Sequence, residues 1–479
     1  MNKFLSILLT ICFIVFYGCE PKANSQLDKD AKAEAEVAIL AVNDIHADID
    51  MFAQFAAVVD SLRGVYPDLL VFSAGDNRTG NPVNDQFDPV SFPVIELMNK
   101  VGFDASAVGN HEWDGNVVNL QNNIEQANFP FLCANVFIPN SLNLDVKPYA
   151  VIENQGVKIA VVGMIELRHD GIPGAHPKNL TEVSFKQAAE VLPDYQYLRD
   201  ENEIVILLSH CGYEDDLEVA QANPYLDAII GGHTHTLVEN PHEVNGVLVS
   251  QSGSHLEYAT LHLFKVKNGK VVEKSAKVLN VKDSKKKNQE VKKMVDDFND
   301  APSLNEAIAT AKTKFNNREE LGCMMTDALR VVSGADFAFQ NTGGVRVNYL
   351  KKGPITVKDV YMIDPFNNEI VVYTMTGAQV EKFIINSYRK NGRFPSHVSG
   401  MRYEVVENGR DLKANIHLDK GNFSKKATYK VAMNSYMAST VNVESLDDGQ
   451  SQFMTSEEMM IEFLRKQKTV DYQGVSRVK

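Results

Sequence analysis

The chain has 479 residues, 44% hydrophobic and 23% charged, with a formal net charge of −14. That length exceeds one ordinary domain, so two or more are expected. The acidic balance argues against binding nucleic acid polymers, which needs basic surface to displace counterions, but it admits a small phosphorylated ligand where a bound cation reverses the local field.

In chain order, Lys3 opens a segment whose apolar run, Phe4 to Tyr17, is shorter than the ~20 residues that span a bilayer and fits a signal-peptide core. Gly18 and Cys19 stand where the sequence turns polar, at Glu20, Lys22, Asn24 and Ser25. Phe-Tyr-Gly-Cys resembles a bacterial lipobox, although Phe16 and Tyr17 are bulkier than the usual residues. The expectation is an exported protein of the bacterial periplasm or cell surface, held to a membrane by a lipid anchor at Cys19. The alternative is an ordinary signal peptide with an incidental cysteine. Cys133, Cys211 and Cys323 are far apart and odd in number, so they are expected to be buried free thiols.

Residues 20–36 read as a polar tether. From Val37 onward, apolar runs (Val37–Val42, Leu69–Phe72, Ile159–Val162, Ile204–Leu208 and Leu226–Ile230) read as strands buried on both faces. Pro89–Lys100, Asn116–Ala127 and Phe185–Arg199 read as helices between them, and the alternation predicts an α/β layered domain. Val247–Ser250 and Tyr258–Val266 alternate like antiparallel strands that close it. Lys282–Asp300, with Lys285-Lys286-Lys287, reads as a solvated linker helix, since acidic residues follow the lysines at once. A second domain starts near Pro302, with a helix expected over Glu319–Val332. The expected boundaries are therefore 1–19, 20–36, 37–283, 284–302 and 303–479.

Five polar motifs follow predicted strands: Asn43-Asp44-Ile45-His46, Gly75-Asp76-Asn77, Gly109-Asn110-His111-Glu112-Trp113-Asp114, Ser209-His210 and Gly231-Gly232-His233-Thr234-His235. Carboxyl ends of strands are where ligand sites form in layered α/β folds. Each motif alone is a common loop sequence. Together they supply the carboxylates of Asp44 and Asp76, the amide of Asn110 and the imidazoles of His46, His210, His233 and His235. With no thiolate among them, this set suits hard or borderline divalent ions. It is too large for one ion and sufficient for two that share a carboxylate.

This ordered set resembles the calcineurin-like metallophosphatases. With the second domain it resembles the 5′-nucleotidase / UDP-sugar hydrolase family, over roughly residues 37–479. Ala134-Asn135-Val136, Lys147-Pro148-Tyr149 and Gly156-Val157-Lys158-Ile159 add to the likeness. The resemblance implies a four-layer catalytic domain, two mixed β-sheets flanked by helices, followed by a smaller α+β domain. It implies two divalent ions (Zn, Mn, Mg, Co or Fe), the first held by Asp44, His46 and His235 and the second by Asn110, His210 and His233, with Asp76 bridging. His111 and Asp114 match the family's catalytic dyad; Asp114 is alternatively, or also, a helix N-cap. Glu112 and His255 are expected to be supporting residues.

In the second domain, Asn341-Thr342-Gly343-Gly344-Val345-Arg346, Asp364-Pro365-Phe366-Asn367-Asn368 and Asn434-Ser435-Tyr436-Met437 resemble the family's substrate motifs. By that match Phe366 and Tyr436 sandwich a base, Asn341 meets its edge and Arg346 meets phosphate or ribose. Ordinary core aromatics are the alternative for the first two. Arg318 corresponds to a family arginine only through a shortened spacing, with Cys323 where the family has asparagine. The segment Ser439 to Gly449 departs from the family's glycine-rich stretch, so base or sugar preference is expected to differ. The implied activity is metal-dependent hydrolysis of nucleotide phosphomonoesters. The alternatives are hydrolysis of UDP-sugars or 2′,3′-cyclic nucleotides, and a non-catalytic nucleotide-binding lipoprotein.

Overall fold

The computed structural model of the chain describes residues 34–168, 171–408, 411–418 and 421–479. The signal segment, Cys19 and nearly all of the tether lie outside the described residues. Two six-stranded mixed sheets form the centre of the first body. One runs Lys270–Asn280, Tyr258–Lys267, Ala35–Val42, Leu70–Ser73, Ala105–Ala107, Phe131–Leu132. The other runs His242–Val244, Val247–Gln251, Ala228–Gly231, Ile204–His210, Val157–Ile165, Tyr149–Asn154.

The alternation of side chains assigns the layers. Val37, Ile39 and Ala41 point into a core shared with Ile159, Ile204, Ile206 and Leu208 of the facing sheet. Ala38, Leu40 and Val42 point outward, against helices that include Phe52–Arg63 and Phe92–Val101. On the second sheet Ala160, Val162, Val205 and Leu207 face its own outer helices. Each central strand is thus buried on both faces, which is why its sequence is an unbroken apolar run. The result is the four-layer α/β/β/α arrangement.

Several elements differ from expectation for local reasons. Phe185–Arg199 is not one helix: a two-residue strand, Ser184–Phe185, precedes short turns at Ala188–Val191, Leu192–Tyr195 and Leu198–Glu201, and Pro193 sits where a continuous helix would need an N–H. The helix expected from Pro89 starts at Phe92, because Ser91 has φ 71°. Val247–Gln251 and Tyr258–Lys267 lie in different sheets, the former pairing parallel to Ala228–Gly231. The charged stretch is helical only over Gln289–Asn299, capped by Asn288, and it is not a free linker. Val291 and Val295 are buried in the first body's core, and Lys100 pairs with Glu290 at 2.5 Å.

The second body has a five-stranded sheet, His397–Ser399, Phe337–Gln340, Thr428–Asn434, Glu369–Thr376, Gln450–Thr455. One face packs on the helices Arg318–Ser333 and Ser456–Gln467, the other on Gly377–Lys390. Cys133, Cys211 and Cys323 are buried free thiols. No helix among the described residues is long and apolar enough to cross a membrane.

The last residues return to the second body's core. Arg477 reaches Asp327 through two hydrogen bonds of 2.8 Å, and Tyr472 donates to the same carboxylate at 2.8 Å. Burial works against this charge, but the bonds from Arg477 and Ser399 outweigh it and hold the carboxyl below its ordinary range. Arg477→Met strands a half-buried carboxylate, so urea titration should show a loss of about 1–3 kcal/mol. The gap should narrow as the pH falls below the ordinary aspartate range, because Asp327 then takes up its proton and the pair's contribution disappears from the wild type.

Candidate active site

All five polar motifs converge at one end of the two sheets. Asp44 and His46 follow Ala35–Val42, Asp76 follows Leu70–Ser73, and Asn110 follows Ala105–Ala107. His210 ends Ile204–His210, while His233 and His235 follow Ala228–Gly231. Asp44, His46, Asp76, His233 and His235 all have positive φ, between 49° and 76°. Side chains other than glycine rarely adopt such angles, and a structure that retains them over-determines them from outside.

Each carboxylate divides its oxygens between the protein and the centre. Asp44 Oδ2 accepts from Asn43 Nδ2 at 2.7 Å and from the His233 N–H at 2.9 Å. Its Oδ1 is buried with no hydrogen-bond partner and lies 3.3 Å from His235 Nε2 and 3.9 Å from His46 Nε2. Asp76 Oδ1 accepts the His111 N–H at 2.8 Å. Its Oδ2 lies 3.1 Å from His210 Nε2, which is buried and lacks hydrogen-bond geometry towards it. His210 Nδ1 donates to the Ala74 carbonyl at 2.7 Å and so turns Nε2 inward. His233 Nδ1 stands 3.0 Å from Asn110 Oδ1, and His46 Nε2 stands 2.9 Å from His235 Nε2.

Asp44 Oδ1 and His210 Nε2 are buried without a hydrogen-bond partner, and such atoms are what a cation would satisfy. Asp44, His46 and the exposed His235 bring ligand atoms close enough to share an ion, as do Asp76, His210 and His233, with His46, Asp76 and His111 a third group between them. Burial, helped by Arg346, pushes His46 well below its ordinary value, and burial together with His210 pushes His233 down to about 4. Neutral imidazole is the form that ligates metal; His210 departs the other way, burial being outweighed by Asp76 and its value raised to about 10.

Around this set, Asp114 Oδ2 holds His111 Nδ1 at 2.6 Å. Asp114 does not cap the following helix: the N-cap of Asn116–Gln126 is Gly115, so the carboxylate is spent on the imidazole. Glu112 accepts three backbone N–H groups, from Asp76 at 3.0 Å, Asn77 at 2.8 Å and Gly109 at 2.6 Å, and so ties two of the loops together. Gly109 is there for space, since a Cβ would stand 2.3 Å from Asp76 Oδ1. His255 donates its backbone N–H to the Asp44 carbonyl and belongs to none of the three groups.

The opposite wall comes from the second body, across a cavity of about 520 Å³. Asn341, Arg346, Phe366 and Tyr436 line it together with Asp76, Asn110, His111, Asp114, His233 and His235. The Phe366 ring stacks on His111 at 5.9 Å and 25°, and the Arg346 guanidinium is 5.7 Å from the Phe366 ring. Arg346 Nη2 reaches within 3.3 Å of His46 Nε2. Arg318 is not in this lining; it starts the helix Arg318–Ser333 and bears on Arg346 only through its charge. Arg168, not singled out from sequence, donates to the Tyr436 hydroxyl at 2.7 Å from the far wall. It follows the end of Val157–Ile165 with no motif around it, so only its position after a buried strand signalled it. Arg78, Glu166 and Asn368 also line the cavity.

Residues 37–237 match the family of calcineurin-like phosphoesterases, and residues 301–443 match the 5′-nucleotidase C-terminal domain. The chain belongs to the 5′-nucleotidase family of metallophosphoesterases. It is 28% identical over 456 residues to protein UshA of Yersinia enterocolitica, covering 82% of each chain. It is 28% identical over 386 residues to a 5′-nucleotidase of Vibrio parahaemolyticus, covering 68% of each. A 5′-nucleotidase precursor from Thermus thermophilus has the same fold, with a TM-score of 0.80 and 23% identity over 93% of this chain and 99% of that one. As a member of this family the chain is a phosphomonoester hydrolase that uses divalent metal.

The role of Glu112 is testable apart from turnover. Glu112→Gln keeps one acceptor oxygen and puts an NH2 donor in place of the other, against one or two of the three N–H groups. Affinity for Mn or Zn, titrated calorimetrically into chelator-stripped protein, is expected to fall about 10–100-fold with the fold intact by circular dichroism.

Proposed function

We propose that this chain removes phosphate from nucleoside monophosphates, with substrate bound across the cleft between its two bodies. The observation that carries this reading is the cleft itself. One wall holds seven clustered metal-type ligands, and the facing wall offers Phe366, Tyr436, Asn341 and Arg346. In this reading Asp44, His46 and His235 hold one ion, Asn110, His210 and His233 hold a second, and Asp76 serves both. Divalent cations in such a site supply Lewis-acid charge to the phosphoryl oxygens and make water a nucleophile near neutral pH.

The chain's own groups do the rest. Burial opposes charge on His111, but Asp114 and Asp76 outweigh it and raise its pKa, which favours the cationic imidazole. With Nδ1 fixed by Asp114, Nε2 is left to face the reacting phosphoryl group, where it stabilises developing negative charge. Arg346 adds a second fixed cation, suited to phosphate by its planar fork. Phe366 and Tyr436 take the base by its π-face. The whole reading is tested by phosphate release from a panel of nucleoside monophosphates, UDP-sugars and 2′,3′-cyclic nucleotides, each with several divalent ions. Absence of release from every monophosphate would overturn it.

Phe366→Ala separates base reading from chemistry. KM for a nucleoside monophosphate should rise about tenfold or more, since stacking on one aromatic is worth ~1–3 kcal/mol. Hydrolysis of a small aryl phosphate, which has no base to stack, should change much less. Equal losses on both substrates would make Phe366 a packing residue.

Export and anchoring through Cys19 belong to the same proposal, supported by the apolar-to-polar switch at Gly18-Cys19. Cys19→Ser is expected to move the protein from the membrane fraction to the soluble fraction, or to leave it unprocessed. Unchanged fractionation and processing would remove the anchor from the reading.

A further inference from the structure

Beneath the base-reading side chains lies a chain of three amides, two of them wholly buried, whose orientations are forced from one end. Asn434 is wholly buried and caps the helix Ser435–Thr440, its Oδ1 accepting the Met437 N–H at 2.7 Å. A backbone N–H can only donate, so the Asn434 amide has one possible orientation. Its Nδ2 must then point the other way, where it donates to Gln340 Oε1 at 2.8 Å and to Asn341 Oδ1 at 3.0 Å. Both hydrogens of Nδ2 are used, so both neighbours must present oxygen to it. Gln340 is itself fully buried, and its amide fills the space a Cβ at Gly344 would take, 2.0 Å from Nε2. Neither amide can turn over without setting donor against donor.

The consequence falls on Asn341. Its oxygen is held by Asn434, so its Nδ2 is the end of the amide left for the cleft that Asn341 lines. We propose that Asn434 is a positioning residue that locks the Asn341 amide, so that the cleft meets the nucleotide base with a hydrogen-bond donor. A helix cap in the second body thereby sets the polarity of base recognition. The chemistry selected is a base edge that offers an acceptor, either a ring nitrogen or a carbonyl oxygen. A base offering only donors at that edge would leave both partners unpaired. The inference rests on nucleotides being the substrate.

Two substitutions isolate the donor from the cap. Asp and Ser both cap helices well. Asn434→Asp keeps an oxygen for Met437 and removes the N–H groups; Asn434→Ser does the same without a buried charge and is too short to reach Asn341. For each, KM for the preferred nucleoside monophosphate should rise about tenfold, the equivalent of one hydrogen bond at 1.4 kcal/mol per decade, while kcat stays within about twofold. Asn341→Ala should show a similar rise, and the Asn341→Ala/Asn434→Ser double variant should be no worse than either single one, because both break the same link. Unchanged KM in both Asn434 variants, or additive losses in the double, would overturn the proposal. If Asn434→Asp fails to fold, Asn434→Ser and the double variant decide it. If the wild type hydrolyses no nucleotide, the functional reading fails first, and the two failures are told apart.

Discussion

Two buried carboxylates, Asp44 and Asp76, organise this molecule. Charge taken out of water must be paired or neutralised, and here each carboxylate meets the protein through one oxygen only. The other oxygens face imidazoles across 3.1 to 3.9 Å, so the protein supplies the geometry of a site whose charge cations could complete. The surrounding features serve that geometry. The loops take left-handed backbone at five of the seven positions, Gly109 stays bare, and Glu112 grips three backbone N–H groups.

The same constraint explains the division of labour between the bodies. A centre fixed by five strand ends has little freedom to adapt to a substrate. In the proposed function, reading falls to a separate body whose side chains approach from outside. Arg346 and Phe366 reach across to His46 and His111, and Arg168 reaches back to Tyr436. Because the helix Gln289–Asn299 is packed into the first body, the chain passes from one body to the other only at the short connection that follows it, around residues 300–306.

What the sequence discloses follows from which forces are local. Strands such as Ala35–Val42 and Ile204–His210 are buried on both faces, so their apolar runs are unmistakable, and the polar residues that interrupt them mark where ligands gather. Lys270–Asn280 is an outer strand with mostly exposed side chains and carries no such run. The stretch Phe185–Arg199 has helical composition but a proline at Pro193, and Lys282–Asp300 looks solvated until Val291 and Val295 find a core. Arg168 and the buried partners of Asn341 are invisible for a different reason. Their importance is a juxtaposition of residues 268 and 93 positions apart in the chain, which no spacing rule records.

The closeness of Phe366 to His111 has a consequence for fit. Between that stacked pair and the clasp of Arg168 on Tyr436, the cavity is a compartment about the size of one small molecule, roofed by one body and floored by the other. A small ligand held there touches residues of both bodies at once, so its fit is set by how the two bodies meet as much as by either alone.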